Sequence, residues 1–373
     1  MSYINIIITA CIVFPVLAFF ITLPFVIYNY NKYGSVLFIR ALLIYGFVLY
    51  LMSAYFLIIM PLPSISEVAK MTTKVQLVPF DVFSKIYHTV YFDYKDISTY
   101  VNIFKNAYVY QSIYNFLLTV PFGIFLRYYF RCNFKKTIFF TFLLSLFFEL
   151  TQLTGLYFIY PNAYRLFDVD DLFINTLGGL FGYAITPLFT LLLPSAKELD
   201  IKSYKKGAKV SSTKRIITLL IDSFFTIIFI FIEIVMNYIY KINSSYYIYF
   251  IVGICIFFII IPLINNGPTL GYKITNMTII STKSDNLKRY QVLIRNLILC
   301  IFYIPLGYYI YLVFKLINKI ANHNYGSIVI IGYIFAVSII ALFMLIRNFI
   351  LRKLFLYEKI SKTKVVSTIE VPN

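Results

Sequence analysis

The chain has 373 residues, of which 61% are hydrophobic and only 13% charged. An apolar share that far above the roughly 45 to 50% of an average soluble domain excludes a soluble globule and leaves a polytopic membrane protein. Lys and Arg outnumber Asp and Glu by 33 to 15, but the surplus sits in short loops and at span ends, as on the cytoplasmic face of membrane proteins, so no nucleic acid partner is expected.

Apolar runs long enough to cross a bilayer lie near residues 4–29, 36–60, 111–130, 137–158, 172–193, 216–240, 247–264, 294–315 and 327–349, so the expected fold is all-α with about nine transmembrane helices. Alternate loops and span ends then hold 24 basic residues on one side and nine on the other. By the positive-inside rule the richer side faces the cytoplasm, which puts the N-terminus outside and the C-terminal tail inside. The absence of Trp beside 35 Tyr, with heavy Ile, Lys and Asn usage, suits an AT-rich genome such as that of a low-GC bacterium, and the expected location is a bacterial cytoplasmic membrane.

Of the four cysteines, Cys11, Cys255 and Cys300 fall in apolar runs and none forms a CxxC pair with another, Cys132 included, so neither a disulfide framework nor a zinc site is expected. Ile8-Thr9-Ala10-Cys11 has the outline of a lipoprotein cleavage box, but no Lys or Arg precedes it and the apolar stretch continues beyond it, so lipidation is not expected. The outside segment 61–110 mixes Pro61, Pro63 and Pro79 with apolar clusters such as LVPF, and could dip into the outer leaflet. The most basic polar stretch, 194–214, reads as a cytoplasmic linker between an N-terminal block, 1–193, and a C-terminal block, 215–373.

Carboxylates within a membrane are costly, so each requires a reason. Glu149 lies inside the fourth expected span, about nine residues and so roughly 13 Å from its outer end, on one helix face with Ser145 and Gln152. A satisfied contact between helices is the plain reading; a ligand site is the sharper one. In 162–183, NAYRLFDVDDLFINTLGGLFGY, a helical repeat places Asp171, Asn175, Gly178 and Gly182 in one stripe, a polar mouth above a small-residue groove. Gly178 and Gly182 form a GxxxG pattern, whose simplest meaning is close helix packing. Asp168, Asp170 and Asp171 crowd the helix N-terminus, where capping accounts for one carboxylate and hardly for three. With Arg165 nearby, the surplus could pair with it, hold a divalent cation, or engage a cationic group of a ligand. Ligand or lipid headgroup binding fits better than metal chemistry. His88 and His323 are isolated and neither an HExxH motif nor a serine elbow occurs, so no catalytic set and no cofactor are expected.

FFELTQ and RLFDVDDLFINTLGGLFGY, preceded by LVPF at 77–80 and NFLLTVPFG at 115–123, resemble the VanZ-like family of bacterial membrane proteins over about residues 40–190. The resemblance implies a link to reduced susceptibility to glycopeptide antibiotics such as teicoplanin. It implies no reaction. It also makes Glu149, Gln152, Arg165, Asp168, Asp170, Asp171, Asn175 and Gly179 motif positions.

In the second block Arg215, Asp222 and Glu233 lie on one stripe of the sixth span. A packed polar seam and a cation or proton pathway are both open for it. KRIITLLID here, GPTLGYKITNMTII at 267–280 and KLFLYEKISKTKVV at 353–366 resemble the RDD family, with Glu358 where that family usually carries its second Asp. RDD domains imply transport without a settled substrate. The leading expectation is a non-enzymatic protein modifying glycopeptide or lipoglycopeptide susceptibility through an outer-leaflet site, with membrane lipids and an antibiotic or envelope precursor as partners. A transporter of ions or small solutes and an enzyme acting on lipid-linked precursors are the alternatives.

Overall fold

The computed structural model describes residues 3–72, 75–90, 95, 99–241, 246–284, 286–300 and 355–372. In lipid a backbone must satisfy its own hydrogen bonds, and a helix does so within one segment. The apolar runs accordingly fold as helices. In chain order the elements begin with α1 (Tyr3–Tyr33), α2 (Phe38–Ile59), α3 (Ile65–Val68), β1 (Val75–Gln76), α4 (Asp81–Thr89), α5 (Tyr100–Lys105), α6 (Ala107–Tyr128), α7 (Phe134–Leu153), the turn α8 (Gly155–Phe158), β2 (Phe167–Asp168) and α9 (Val169–Phe189). There follow α10 (Ala196–Gly207), α11 (Ser212–Tyr240), α12 (Tyr246–Ile254), α13 (Ile261–Ile264), α14 (Leu270–Ile274) and β3 (Met277–Ser281), then a short helix Leu356–Ser361 and β4 (Thr363–Ser367).

Six helices among the described residues are long and apolar enough to span a membrane: Ile12–Tyr33, Phe38–Ile59, Ala107–Tyr128, Phe134–Leu153, Val169–Phe189 and Ser212–Tyr240. The chain is a helical membrane protein. The seventh expected span is a shorter apolar helix, Ile248–Ile264, in which α12 passes through the π-helical turn Cys255–Ile260 into α13. Of the eighth, residues up to 300 are helical and the rest lies outside the described residues, as does the whole ninth. All-α describes the spans but omits two small sheets. In the parallel pair, β1 meets β2 with Val75 opposite Phe167 and Gln76 opposite Asp168; in the antiparallel one, β3 meets β4 from Met277 opposite Ser367 to Ser281 opposite Thr363.

The fourth span is shorter than its apolar run suggests. Gly155, Leu156, Tyr157 and Phe158 all take left-handed backbone angles, with φ between 56° and 69°, and this turn ends α7 at Leu153. A left-handed conformation costs a residue with a side chain about 1–2 kcal/mol. Burial of Leu156 with Ile59, Val68, Tyr160 and Tyr164 offsets part of that. Glu149 is therefore four residues, about 6 Å, from the end of its helix instead of the roughly 13 Å read from the apolar run.

The chain divides into two compact units, residues 1–24 with 37–199 and residues 25–36 with 200–373. The basic stretch read as a linker carries the 12-residue helix α10. In the first unit α9 packs against α6 and α7. A Cβ on Gly178 would come within 2.1 Å of the Phe116 carbonyl oxygen, one on Gly182 within 2.0 Å of the Val120 carbonyl oxygen, and one on Gly179 within 2.4 Å of Thr141 Oγ1. Such helix contacts are open only to residues without a side chain. In the second unit, β3 and β4 cover a small core of Tyr272, Met277, Ile279 and Val365.

Candidate functional site

The first unit gathers its polar side chains at the ends of α2, α6, α7 and α9. Parallel pairing of β1 with β2 ties residues 75–76 to 167–168, next to the first turn of α9. Asp168 caps that helix: its Oδ1 accepts the Asp170 backbone N–H at 2.9 Å, while its own N–H donates to Glu149 Oε2 at 3.1 Å. Asp170 is occupied otherwise. Its carboxylate accepts the backbone N–H of Phe80, and that of Val82 at 2.8 Å, so it clamps the start of α4 to the start of α9. Phe80 sits there in a left-handed conformation with φ 68°. Asp171 Oδ2 accepts from Gln111 Nε2 on α6 at 3.3 Å.

Arg165 does not form the ion pair that its neighbourhood in sequence suggests. Its guanidinium donates to the carbonyls of Ile58 at 2.6 Å and Met60 at 2.9 Å, and with Gln152, which donates to Ile58 at 3.3 Å, it closes the C-terminal end of α2. Four carbonyls at a helix end lack partners within the helix, and a cation is well suited to them. Lys85 on α4 also reaches the acidic group, 2.8 Å from Asp81 and 3.7 Å from Asp168. Asp81 beside it raises the ammonium pKa above its ordinary value.

Asn175 is 3% exposed and donates through Nδ2 to Ser145 Oγ at 2.8 Å. Ser145 in turn donates its proton to the Asp171 carbonyl at 3.3 Å, which fixes the orientation of the amide. The Asn175 backbone carbonyl receives Thr119 Oγ1 at 2.7 Å, whereas the side-chain Oδ1 is buried and has no partner. Glu149, Gln152, Arg165, Asp168, Asp170, Asp171 and Asn175 all line one cavity of about 1010 Å³. Neither Glu149 nor Asp171 forms an ion pair among the described residues. Among those residues, too, no group of three or more His, Cys, Asp or Glu is disposed to hold a metal ion.

In the second unit the expected stripe divides. Arg215 donates to Glu358 Oε1 at 2.7 Å, while Asp222 accepts Thr269 Oγ1 and the Gly271 N–H, each at 2.6 Å. Glu233 is half-buried and makes neither a hydrogen bond nor an ion pair among the described residues. A common angular position placed the three on one face, but Arg215 and Asp222 meet different elements and Glu233 joins neither, so no continuous seam forms among the described residues. Sequence reading missed Arg295, which is fully buried, donates to Tyr272 Oη at 2.7 Å and Thr363 Oγ1 at 3.0 Å, and lies 3.9 Å from Glu358. It missed Lys214 as well, a buried ammonium donating to Gly207 O at 2.8 Å and Ser367 Oγ at 3.2 Å. A lone Arg inside QVLIRNLILC, where a charge is hard to place, was the available signal for the first.

Tyr357 stands over the Arg295 guanidinium, 4.6 Å from its ring centre, and burial drives its phenol pKa well up. The three stretches KRIITLLID, GPTLGYKITNMTII and KLFLYEKISKTKVV thus converge on one buried polar network.

These observations define a helical membrane protein built from two modules, the first carrying an acidic cavity and the second a buried ionic network. Residues 47–190 match the family model described as VanZ/LLP1, and residues 209–351 match that of the RDD family. The N-terminal block is thus VanZ-like and the C-terminal block RDD-like; the 353–366 stretch lies beyond the second match. No curated protein and no solved structure matches the chain.

Proposed function

We propose that the chain lowers susceptibility to glycopeptide or lipoglycopeptide antibiotics of the teicoplanin type, without catalysing a reaction, by binding the antibiotic or an envelope ligand in the VanZ-like cavity at the outer leaflet. The observation that carries this reading is the convergence of seven polar residues on one cavity, in which Glu149 and Asp171 are balanced by no ion pair among the described residues. Carboxylates in such surroundings are costly, and a ligand that meets them recovers the cost. In cells, Glu149→Gln and Asp171→Asn should each lower antibiotic protection while leaving membrane abundance intact. Resistance unchanged in both variants at equal abundance would remove the site.

The orientation is part of the proposal, since the cavity serves an external ligand only if 159–171 faces outward. With the native cysteines replaced, a cysteine introduced near Lys205 should resist impermeant reagents applied to intact cells, and one introduced near Asn162 should react. The reverse pattern would invert the topology. A solute pathway through the RDD-like unit has weaker support. Both Asp222 oxygens already accept protein donors, and Glu233 shares no partner with Asp222.

A further inference from the structure

We infer that the cavity of the VanZ-like unit receives a primary ammonium group, the headgroup amine of an amphiphile, between Glu149, Asp171 and Asn175. This rests on the reading of the cavity as an envelope-ligand site and names the chemistry it selects. The first observation concerns the Asn175 amide. Its orientation is fixed through Ser145, yet Oδ1 is buried without a donor. A buried acceptor without a donor carries a net cost, so this atom calls for a hydrogen-bond donor from outside the protein.

The second observation is the state of the two carboxylates. Glu149 uses Oε2 for the Asp168 N–H, and Oε1 takes no hydrogen bond among the described residues. Asp171 receives only neutral amides, those of Asn115 and Gln111. The nearby cations are spent elsewhere, Arg165 on the carbonyls of Ile58 and Met60, and Lys85 closest to Asp81. What remains is two carboxyl groups and one amide oxygen on a common cavity.

A primary ammonium offers three N–H donors and one positive charge, which answers three acceptors of which two are carboxyl groups. A quaternary ammonium carries the same charge with no donor and would leave Asn175 Oδ1 unpaired. A guanidinium brings its donors in a rigid planar fork, which suits one bidentate carboxylate better than three acceptors on separate side chains. The described residues also lack a carboxylate cluster suited to a metal ion. Apolar side chains on the same cavity, among them Leu57, Leu118 and Phe148, suit the hydrocarbon or aromatic body to which the amine belongs.

A membrane lipid or the antibiotic itself could supply such an amine, and the test separates them. The full-length protein, purified in detergent, is titrated with phosphatidylethanolamine and with phosphatidylcholine of identical acyl chains, and retention is measured by native mass spectrometry. In a second arm it is titrated with a glycopeptide bearing free amines and with the same compound N-acetylated. The wild-type protein should prefer the free primary amine by about tenfold or more in at least one arm, as expected for charge-assisted hydrogen bonds. Preference in the lipid arm identifies a headgroup, and preference in the antibiotic arm identifies the drug. Glu149→Gln should erase the preference, and phosphoethanolamine should displace bound ligand where phosphocholine does not.

Equal retention within both pairs would overturn the ammonium assignment and leave the envelope-ligand reading standing. Retention of none of the four, with antibiotic protection unaffected by Glu149→Gln, would overturn both.

Discussion

Glu358→Gln should destabilise the RDD-like unit by about 3 kcal/mol, a change of about a hundredfold in its folding equilibrium. The Glu358 side chain is fully buried and is the ion-pair partner of two guanidiniums, Arg215 at 2.7 Å and Arg295 at 3.9 Å. Its Oε2 also accepts the Phe355 N–H at 3.0 Å, which starts the short helix leading into β4. Glutamine preserves the shape and loses the charge, leaving two cations in an interior that cannot solvate them. The estimate stands at the lower end for a broken buried pair because the Arg215 side chain keeps 15% of its exposure. Adding Arg295→Met removes the surplus charge and should recover part of the loss. Hydrogen exchange at 277–281, where β3 pairs with β4, reports the unit directly. A double variant less protected than Glu358→Gln alone would contradict the electrostatic account.

Gly182→Leu should separate α9 from α6 and prevent the VanZ-like unit from accumulating in the membrane. The obstacle is backbone: an added Cβ would sit 2.0 Å from the Val120 carbonyl oxygen, and no rotamer of a neighbouring side chain can relieve that. Overpacking a well-fitted interior typically costs about 1–3 kcal/mol, and here it also shifts Asn175 and Asp171 on the same helix. Leucine at Phe181, 47% exposed on the adjacent face, is the control and should be tolerated. Membrane abundance of the two variants measured side by side decides the matter; normal levels of Gly182→Leu would show that the helices can yield.

The membrane character was legible because apolar runs of span length have few other uses, and 172–193 could be read as a span with a polar mouth just before it. The use made of each carboxylate could not. That Asp168 caps α9 follows from its position, but the partners of Asp170 are backbone amides about ninety residues earlier, and no local pattern announces them. Arg165 shows the opposite error. Nearness in sequence to three aspartates suggested pairing, whereas the unsatisfied carbonyls at the end of α2 compete better for it. The depth of Glu149 was misjudged for a related reason: hydrophobicity continues to residue 158, but a left-handed turn stops the helix at Leu153. In the second unit the helical repeat found Arg215, Asp222 and Glu233 on one face, and only tertiary structure reveals that Arg215 and Asp222 serve different elements.

The reach of Lys214 to Ser367 bears on how the chain is made. The two residues are 153 positions apart, so at ribosomal rates of about 5–20 residues per second some 8 to 30 seconds pass between their syntheses. For most of that interval Arg215 lacks Glu358, and Arg295, once made, waits for the same carboxylate. A chain arrested before residue 355 would leave the Arg215 and Arg295 guanidiniums without the carboxylate they share.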